Sequence, residues 1–209
     1  GVDIYITGSS ANLFSSEIAT LLTGRYVEIN VMPFSFMEAI KARSENDNMD
    51  ERRCFRDYIT YGSLPEAFAY AQGSSEQREY IESVYRTILE KDLLKRKTDG
   101  GRILVDNILR YMVGSIGSLT SAKRIADRLT ANGSKVSANT ISSYLDLMTD
   151  SFMFYRADRF DVVGGEQLKL TNKYYLCDLG FKYYILNNPA IEIQQLIENI
   201  VFLEFKRRR

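Results

Sequence analysis

Residues 1–40 read GVDIYITGSSANLFSSEIATLLTGRYVEINVMPFSFMEAI, and the fold class is argued outward from this segment. A β-branched and aromatic run over residues 2–7 ends in Gly-Ser-Ser, which predicts a strand followed by a polar turn. Apolar residues then recur at helical spacing over residues 13–22, and a second alternating run covers residues 26–31. The order strand, helix, strand is typical of a βαβ unit.

Short segments spread in order along the chain resemble a family of prokaryotic AAA+-type ATPases. They are ITGSS at residues 6–10, LTGR at 22–25, PFSF at 33–36 followed by Glu38, YGSLPEA at 61–67, LEKDLLKR at 89–96, TISSYLDLM at 140–148, KYYLCDLG at 173–180 and ENIVFLEFKRR at 198–208. The resemblance covers nearly the whole chain, and the ordered series is far more specific than any one segment.

The resemblance implies a mixed, mainly α fold with four parts. Residues 1–45 would be the C-terminal part of an AAA+-type core, a truncated α/β remnant of a P-loop ATPase domain, and residues 46–101 would be a helical lid. Residues 102–176 would form a winged helix-turn-helix domain. Residues 177–209 would begin a restriction-endonuclease-like domain.

Two motifs that this family needs for ATP hydrolysis are absent from the sequence. The phosphate loop G-x-x-x-x-G-K-[ST] does not occur, and no hydrophobic strand ends in paired acidic residues. We therefore interpret the chain as a fragment of a longer protein, and we expect no cofactor and no ATP hydrolysis in the chain itself. The resemblance implies ATP and magnesium for the longer parent.

The composition narrows the kinds of site that the chain can build. It contains no histidine, which excludes a Ser-His-Asp triad, a Cys-His pair and a His-ligated zinc site. Cys54 and Cys177 lack any metal-ligand spacing and are expected to be reduced thiols, so we predict no metal site. No apolar run approaches the roughly 20 residues that span a bilayer. Without a signal peptide either, we predict a cytoplasmic protein with no membrane partner.

The N-terminal segment supplies candidates for nucleotide chemistry. The resemblance places Thr7 and Ser9 where a γ-phosphate would be sensed, and a hydroxyl can donate to a phosphate oxygen. Alternatively, Ser9 or Ser10 only caps the following helix. Arg25, in a Gly-Arg turn, is the catalytic candidate, because a guanidinium there could neutralise phosphate charge across a subunit interface. Equally, it could only favour the negative end of the helix before it.

Residues 102–176 carry the periodicity of three helices followed by a β-hairpin. The apolar positions are Leu104, Ile108, Tyr111 and Met112 in the first helix, Ala122, Ile125, Ala126 and Leu129 in the second, and Ile141, Tyr144, Leu145 and Met148 in the third, which Ser137 would cap. Residues 152–157 and 168–176 predict two strands around a tip at Gly164 and Gly165. This succession predicts a winged helix.

The third helix of this module is the candidate DNA-reading element. Its outward face would present Asn139, Thr140 and Ser143, which can hydrogen-bond base edges or phosphates. Positive charge would come from Lys123, Arg124, Arg128 and Lys135. Because residues 138–150 contain no Lys or Arg, we expect only weak binding of duplex DNA.

Two other roles remain open for this module. It could serve as a protein-interaction or regulatory surface of a signalling ATPase. The chain could also come from a transcriptional regulator unrelated to ATPases, which a phosphate loop elsewhere in the gene would exclude.

The C-terminal segment predicts a turn and two helices. Asp178 and Gly180 would make a tight turn into a helix that ends near Asn187, and residues 191–205 would form the last helix. Its inward positions are predicted to be Ile193, Leu196, Ile197, Ile200 and Val201. Glu198 resembles the acidic residue that opens the nuclease-like domain of the family, and a lone Glu there predicts no nuclease activity.

Two local features complete the prediction. Ser35 and Glu38 fit the S-x-x-E capping box and predict a helix start. The strands at residues 2–7 and 26–31 would leave exposed sheet edges. We expect them to pair with each other, to pair with another copy and give a homo-oligomer, or to be disordered.

Overall fold

The structure is a computed structural model, which describes residues 3–8, 25–44, 50–94, 101–160, 167–187 and 192–208. Within these ranges the chain forms eight α-helices and a two-stranded antiparallel sheet. The fold is therefore mixed and mainly α, as the sequence predicts. None of the described helices is both long and apolar enough to cross a membrane.

The elements follow one another along the chain. They are α1 (Phe36–Ser44), α2 (Glu51–Tyr61), a 3₁₀ helix (Pro65–Ala69), α3 (Ser75–Ile88), a π-helical turn (Leu89–Leu94), α4 (Gly101–Gly114), α5 (Ala122–Ala131), α6 (Ala138–Asp150), β1 (Phe154–Phe160), β2 (Gln167–Leu176), α7 (Gly180–Leu186) and α8 (Ile193–Arg207).

Side-chain caps explain where several of these helices begin. Asp50 accepts a hydrogen bond from the Arg52 N–H at 3.0 Å and starts α2, and the Ser74 side chain starts α3 in the same way. The predicted capping box forms at α1, where the Ser35 N–H donates to Glu38 Oε2 at 2.7 Å. The Glu38 N–H donates back to Ser35 Oγ at 3.2 Å.

The segment from α4 to β2 has the predicted order of three helices and a hairpin. The strands β1 and β2 pair antiparallel from Phe154 with Leu176 onward, with an irregularity between Asp158 and Arg159. Thr120, just before α5, exchanges two backbone hydrogen bonds of 2.9 Å with Asn172. The connection between α4 and α5 is thereby tied to β2.

The core forms where the helices meet around α7, which packs against α2, α3 and α4. Most of the positions predicted to face inward are buried: Ile108, Met112, Ile125, Ala126, Leu129, Ile141, Tyr144, Leu145 and Met148. Leu104, Tyr111 and Ala122 are partly buried against the same core. Each fully buried large apolar side chain contributes about 1.5–3 kcal/mol relative to leaving it in water.

Two sequence predictions are wrong in the described residues. Neither residues 3–8 nor residues 26–31 form a strand, and Ile4, Tyr5, Val27 and Val31 are exposed. A strand is defined by a ladder of backbone hydrogen bonds, and the one sheet in the described part of the chain includes neither segment.

The second prediction, for α8, is wrong in part. Ile193, Ile197 and Val201 are exposed, whereas Leu196 is buried and Ile200 is partly buried against the core, as predicted. The helix carries apolar residues on two faces, and periodicity alone cannot tell which face meets the core.

Several predicted features lie outside the described residues. These are the helix at residues 13–22, the candidates Ser9 and Ser10, and the hairpin tip at Gly164 and Gly165.

Candidate functional site

The helix α5 presents three of the predicted cations to solvent. Ile125, Ala126 and Leu129 are buried, which leaves Lys123, Arg124 and Arg128 on the exposed side. Arg124 Nη1 donates to the Leu119 carbonyl at 3.2 Å, so its side chain lies against the turn before the helix. Lys135, in the turn that follows α5, is also exposed.

The helix α6 packs against α5 and offers a polar outer face. Ser137 caps it by accepting from the Thr140 N–H at 3.1 Å, as predicted. Asn139 is exposed, and Thr140 and Ser143 are partly exposed. The Ser143 hydroxyl donates to the Asn139 carbonyl at 3.0 Å, and the Thr140 and Ser137 hydroxyls lie 2.9 Å apart. The Ser143 proton is engaged in this bond, so towards another molecule its hydroxyl oxygen acts as an acceptor.

An ion pair lies towards the C-terminal end of the outer face of α6. Asp146 Oδ1 on α6 lies 3.5 Å from Arg156 Nη1 on β1, and Arg156 Nε lies 3.1 Å from Asp158. No ion pair is described for Lys123, Arg128 or Lys135 in the ranges that the structure covers. Positive charge is therefore concentrated at α5 and the turn, while the C-terminal part of α6 is acidic.

Two of the three candidates for nucleotide chemistry lie in the described part of the chain. Thr7 and Arg25 are exposed, and both lie in segments without regular secondary structure. Ser9 falls outside the described residues. Their predicted roles in sensing a γ-phosphate and in catalysis stay predictions.

The Glu198 side chain is half-exposed and forms hydrogen bonds with β2. Lys173 Nζ donates to Glu198 Oε1 at 2.6 Å, and the Tyr175 hydroxyl donates to the same oxygen at 2.7 Å. Partial burial raises the pKa of the Glu198 carboxyl, but the hydrogen bonds from Lys173 and Tyr175 outweigh that effect and hold the pKa below its ordinary value. No group of three or more metal-ligating residues occurs among the described residues.

Asn199, next to Glu198, continues the attachment of α8 to β2. Its side chain is fully buried, its Oδ1 accepts from the Leu176 N–H at 2.8 Å, and its Nδ2 donates to the Leu176 carbonyl at 2.9 Å. The amide thus satisfies both backbone groups at the end of β2, as a neighbouring strand would. Sequence reasoning missed this role because the partner is distant in the chain.

Asp178 joins two segments that are far apart in the sequence. Its carboxylate is buried and accepts from the Ser63 hydroxyl at 2.9 Å, from the Ser63 N–H, and from the Gly180 N–H at 2.8 Å. Burial raises the pKa of Asp178, and the hydrogen bonds from Ser63 and Gly180 act in the opposite direction. Gly62 has φ of +82°, and a Cβ there would overlap Asp178 Oδ1. Glycine is therefore required for the close approach.

The N-terminal part of the described chain meets the same region. The Phe34 N–H donates to the Ser63 carbonyl at 2.9 Å, and the Tyr58 hydroxyl donates to the Phe34 carbonyl at 3.1 Å. Arg207 Nη2, on α8, donates to the Pro33 carbonyl at 2.7 Å. We call this convergence of residues 33–38, 61–64, 178–180 and 204–208 the motif junction.

Comparison with known proteins identifies the family. The family described as a domain of unknown function, DUF8612, matches residues 52–192, about two thirds of the chain. The chain belongs to this family. A second family, described as an AAA domain, matches residues 1–40 and supports an ATPase-type relationship of the N-terminal segment.

Two curated relatives match along the whole chain. An uncharacterised protein of Haemophilus influenzae is 32% identical over 207 residues, which are 99% of this chain and 51% of that protein. An uncharacterised protein of Methanocaldococcus jannaschii is 25% identical over 222 residues, covering 100% of this chain and 48% of that protein. The chain thus spans about half the length of the curated relatives it matches. No solved structure matches the chain.

The DUF8612 match covers residues 52–192, so it includes some of the contacts described above and leaves out others. It contains both partners of the Ser63–Asp178 contact and the whole surface formed by α5 and α6. Glu198 and Arg207 lie beyond its matched residues. The motif junction therefore connects the AAA-like segment, the DUF8612 region and α8.

Proposed function

We propose that the chain is part of an AAA-type ATPase and that residues 102–176 of its DUF8612 region act as a winged helix that binds duplex DNA weakly. The observation that carries the proposal is the exposed cationic surface of α5 beside the capped, polar face of α6. The AAA domain match at residues 1–40 supports the ATPase part.

The arrangement of the elements favours a winged helix. Three helices precede an antiparallel hairpin, and the exchange of hydrogen bonds between Thr120 and Asn172 adds one isolated antiparallel bridge beside β2. In helix-turn-helix proteins the second helix of the pair enters the major groove, and its N-terminal residues reach base edges. In this chain that helix is α6, and its N-terminal residues are Asn139 and Thr140.

The charges set the expected strength of binding. Residues 102–176 carry ten Lys and Arg against seven Asp and Glu. Four exposed cations can neutralise only a few phosphates, and phosphate neutralisation supplies most non-specific affinity. The dissociation constant should therefore be about micromolar or weaker, within the usual non-specific range.

A charge-matched pair of variants tests DNA binding directly. The 209-residue chain is titrated into a labelled duplex at low salt, and fluorescence anisotropy is recorded. Changing Lys123, Arg128 and Lys135 to Ala should weaken binding by about tenfold or more, because three phosphate contacts are lost. The control variant changes Arg52, Arg53 and Arg56, which are exposed on α2, to Ala. It removes the same amount of charge and should leave the affinity for DNA nearly unchanged. Equal losses in both triple variants, or no binding by the unaltered chain, would refute the proposal.

A second candidate function is a protein-contact surface. It is favoured by the absence of Lys and Arg from α6 and by the Asp146–Arg156 ion pair, which places an acidic group on the face that would meet DNA. In that case the chain would show no affinity for DNA at low salt, and the α5 and α6 surface would bind another protein.

The catalytic role of Arg25 is proposed for the full-length ATPase alone. If Arg25 acts as an arginine finger, Arg25→Ala should leave ATP binding intact and reduce hydrolysis by about 10³-fold or more. Phosphate release and nucleotide binding are measured in parallel on the full-length protein, with Arg52→Ala as the control. Unchanged turnover in Arg25→Ala would remove this residue from the mechanism.

Nucleotide sensing, cofactor binding and assembly are likewise proposed for the full-length protein. Thr7 and Ser9 would sense the γ-phosphate, and ATP and magnesium would be bound by the full-length protein. Pairing of the segments at residues 2–7 and 26–31 with another copy is a proposal about assembly, supported by the exposure of Val27, Ile29 and Val31.

A further inference from the structure

The helix α8 carries a continuous ridge of exposed apolar side chains. Ile193, Ile197, Val201 and Phe205 are exposed by 53%, 44%, 46% and 69% of their surface, and they follow one another at intervals of four residues. We call these four residues the α8 ridge. The opposite side of the helix is occupied, because Leu196, Asn199 and Leu203 are buried.

The form of the ridge is that of a packing surface. Side chains four residues apart make the ridges that fit into the grooves of a neighbouring helix or onto a sheet. Twelve residues separate Ile193 from Phe205, so the ridge is about 18 Å long at 1.5 Å per residue. Exposed large apolar residues scattered singly are ordinary, whereas a contiguous apolar patch marks an interaction surface.

The lengths of the relatives indicate what covers the ridge. Both curated relatives match this chain over 99–100% of its length, yet the chain spans only 51% and 48% of theirs. The relatives therefore carry about as many residues again outside the matched part. We infer that the α8 ridge is the docking face for a segment of the full-length protein that lies outside residues 1–209.

A second copy of the chain is a poorer occupant on the ground of area. A stable interface between separate proteins buries about 800 Å² per partner, which four half-exposed side chains cannot supply. A segment of the same chain needs much less contact area, because covalent linkage gives it an effective concentration of about millimolar. This inference does not depend on the proposed DNA binding.

Cysteine labelling tests the occupant. The two native cysteines, Cys54 and Cys177, are buried and should give little background. Val201→Cys places a thiol on the ridge, and Asp127→Cys places one on the exposed side of α5 as a matched control. Rates of reaction with a maleimide dye are compared between the 209-residue chain and the full-length protein.

The inference predicts that the ridge thiol is protected only in the longer protein. The Val201→Cys rate should be at least about tenfold slower in the full-length protein than in the 209-residue chain, while Asp127→Cys reacts equally in both. Equal Val201→Cys rates in the two proteins would overturn the inference, as would a gene that encodes nothing beyond residues 1–209. Protection that appears in the 209-residue chain as its concentration rises would also overturn it, because a second copy would then be the occupant.

Discussion

Asp178 shows how a single side chain can hold separate parts of the chain together. It is buried, yet it accepts three hydrogen bonds from Ser63 and Gly180. A buried carboxylate is tolerated only when such donors replace the water that it loses. The contact of Asp178 with Ser63 and Gly180 therefore depends on carboxylate oxygens that can accept all three hydrogen bonds.

Replacing the carboxylate by an amide tests this dependence. In Asp178→Asn the amide group would direct its own N–H donors at one of the N–H groups of Ser63 or Gly180. A buried donor left without an acceptor costs about 1–3 kcal/mol, so the free energy of unfolding should fall by about that amount. Asp127→Asn, at an exposed site on α5, should change it by less than about 0.5 kcal/mol. Urea denaturation followed by circular dichroism measures both, and equal stability of the two variants would contradict the assigned role.

Because the pKa of Glu198 is lowered in the folded chain, we expect the free energy of unfolding to depend slightly on pH. Its pKa in the folded chain is held below the ordinary value of 4.5, so its contribution is present above that value and is lost as the pH falls through the folded pKa. Because Lys173 and Glu198 are each more than a third exposed, the contribution should be only about 0.2–1 kcal/mol.

The comparison with Glu198→Gln isolates this effect. The unaltered chain should be more stable than Glu198→Gln at neutral pH, and the difference should shrink and then vanish as the pH falls below 4.5 and through the lowered pKa of Glu198. Denaturation curves at several pH values measure it. A difference that grows as the pH falls would mean that the Lys173 and Tyr175 bonds do not lower this pKa.

At the scale of elements, the cap of α6 links local structure to the proposed DNA surface. Ser137→Ala removes the acceptor for the Thr140 N–H and should reduce the free energy of unfolding by about 1 kcal/mol. Ser142→Ala, at an exposed position inside α6, is the control and should be neutral or slightly stabilising. Thermal denaturation compares them, and equal melting temperatures would show that the cap contributes nothing measurable.

Local patterns predicted most of the elements for physical reasons. The periods of α4, α5 and α6 give one buried face each, as in Ile125 and Leu129, and the Ser35–Glu38 box and Ser137 cap lie where sequence chemistry places them. Hydrophobic periodicity does not predict which face of α8 is buried, because apolar residues lie on two faces of this helix. It also failed at residues 3–8 and 26–31, because alternation predicts a strand only when a partner supplies hydrogen bonds.

The candidate site was predicted less completely than the fold. Exposure of Lys123, Arg128 and Lys135 followed from helical periodicity and turn composition. The bonds of Glu198 to Lys173 and of Asp178 to Ser63 were not predicted, because they join residues 25 and 115 positions apart. The turn from Asp178 to Gly180 was the local signal that pointed toward that contact.

At the scale of the whole molecule, the motif junction connects the three regions that the comparisons distinguish. The Arg207 side chain of α8 donates a hydrogen bond to the Pro33 carbonyl in the AAA-like segment. The Phe34 N–H of that segment donates one to the Ser63 carbonyl in the DUF8612 region. A displacement of the N-terminal segment would therefore strain contacts with both other regions.

The salt dependence of DNA binding tests the central claim most directly. Anisotropy titrations of the 209-residue chain with duplex DNA are made between 50 and 200 mM salt, a range over which phosphate contacts are progressively screened. Each phosphate contact contributes about −0.9 to the slope of log affinity against log salt, so four cations predict a slope between about −2 and −4. The Lys123, Arg128 and Lys135 triple variant should flatten that slope by about 2 or more, and the α2 control should not. A chain that fails to bind at 50 mM salt, or a slope unaffected by the triple variant, would contradict the account.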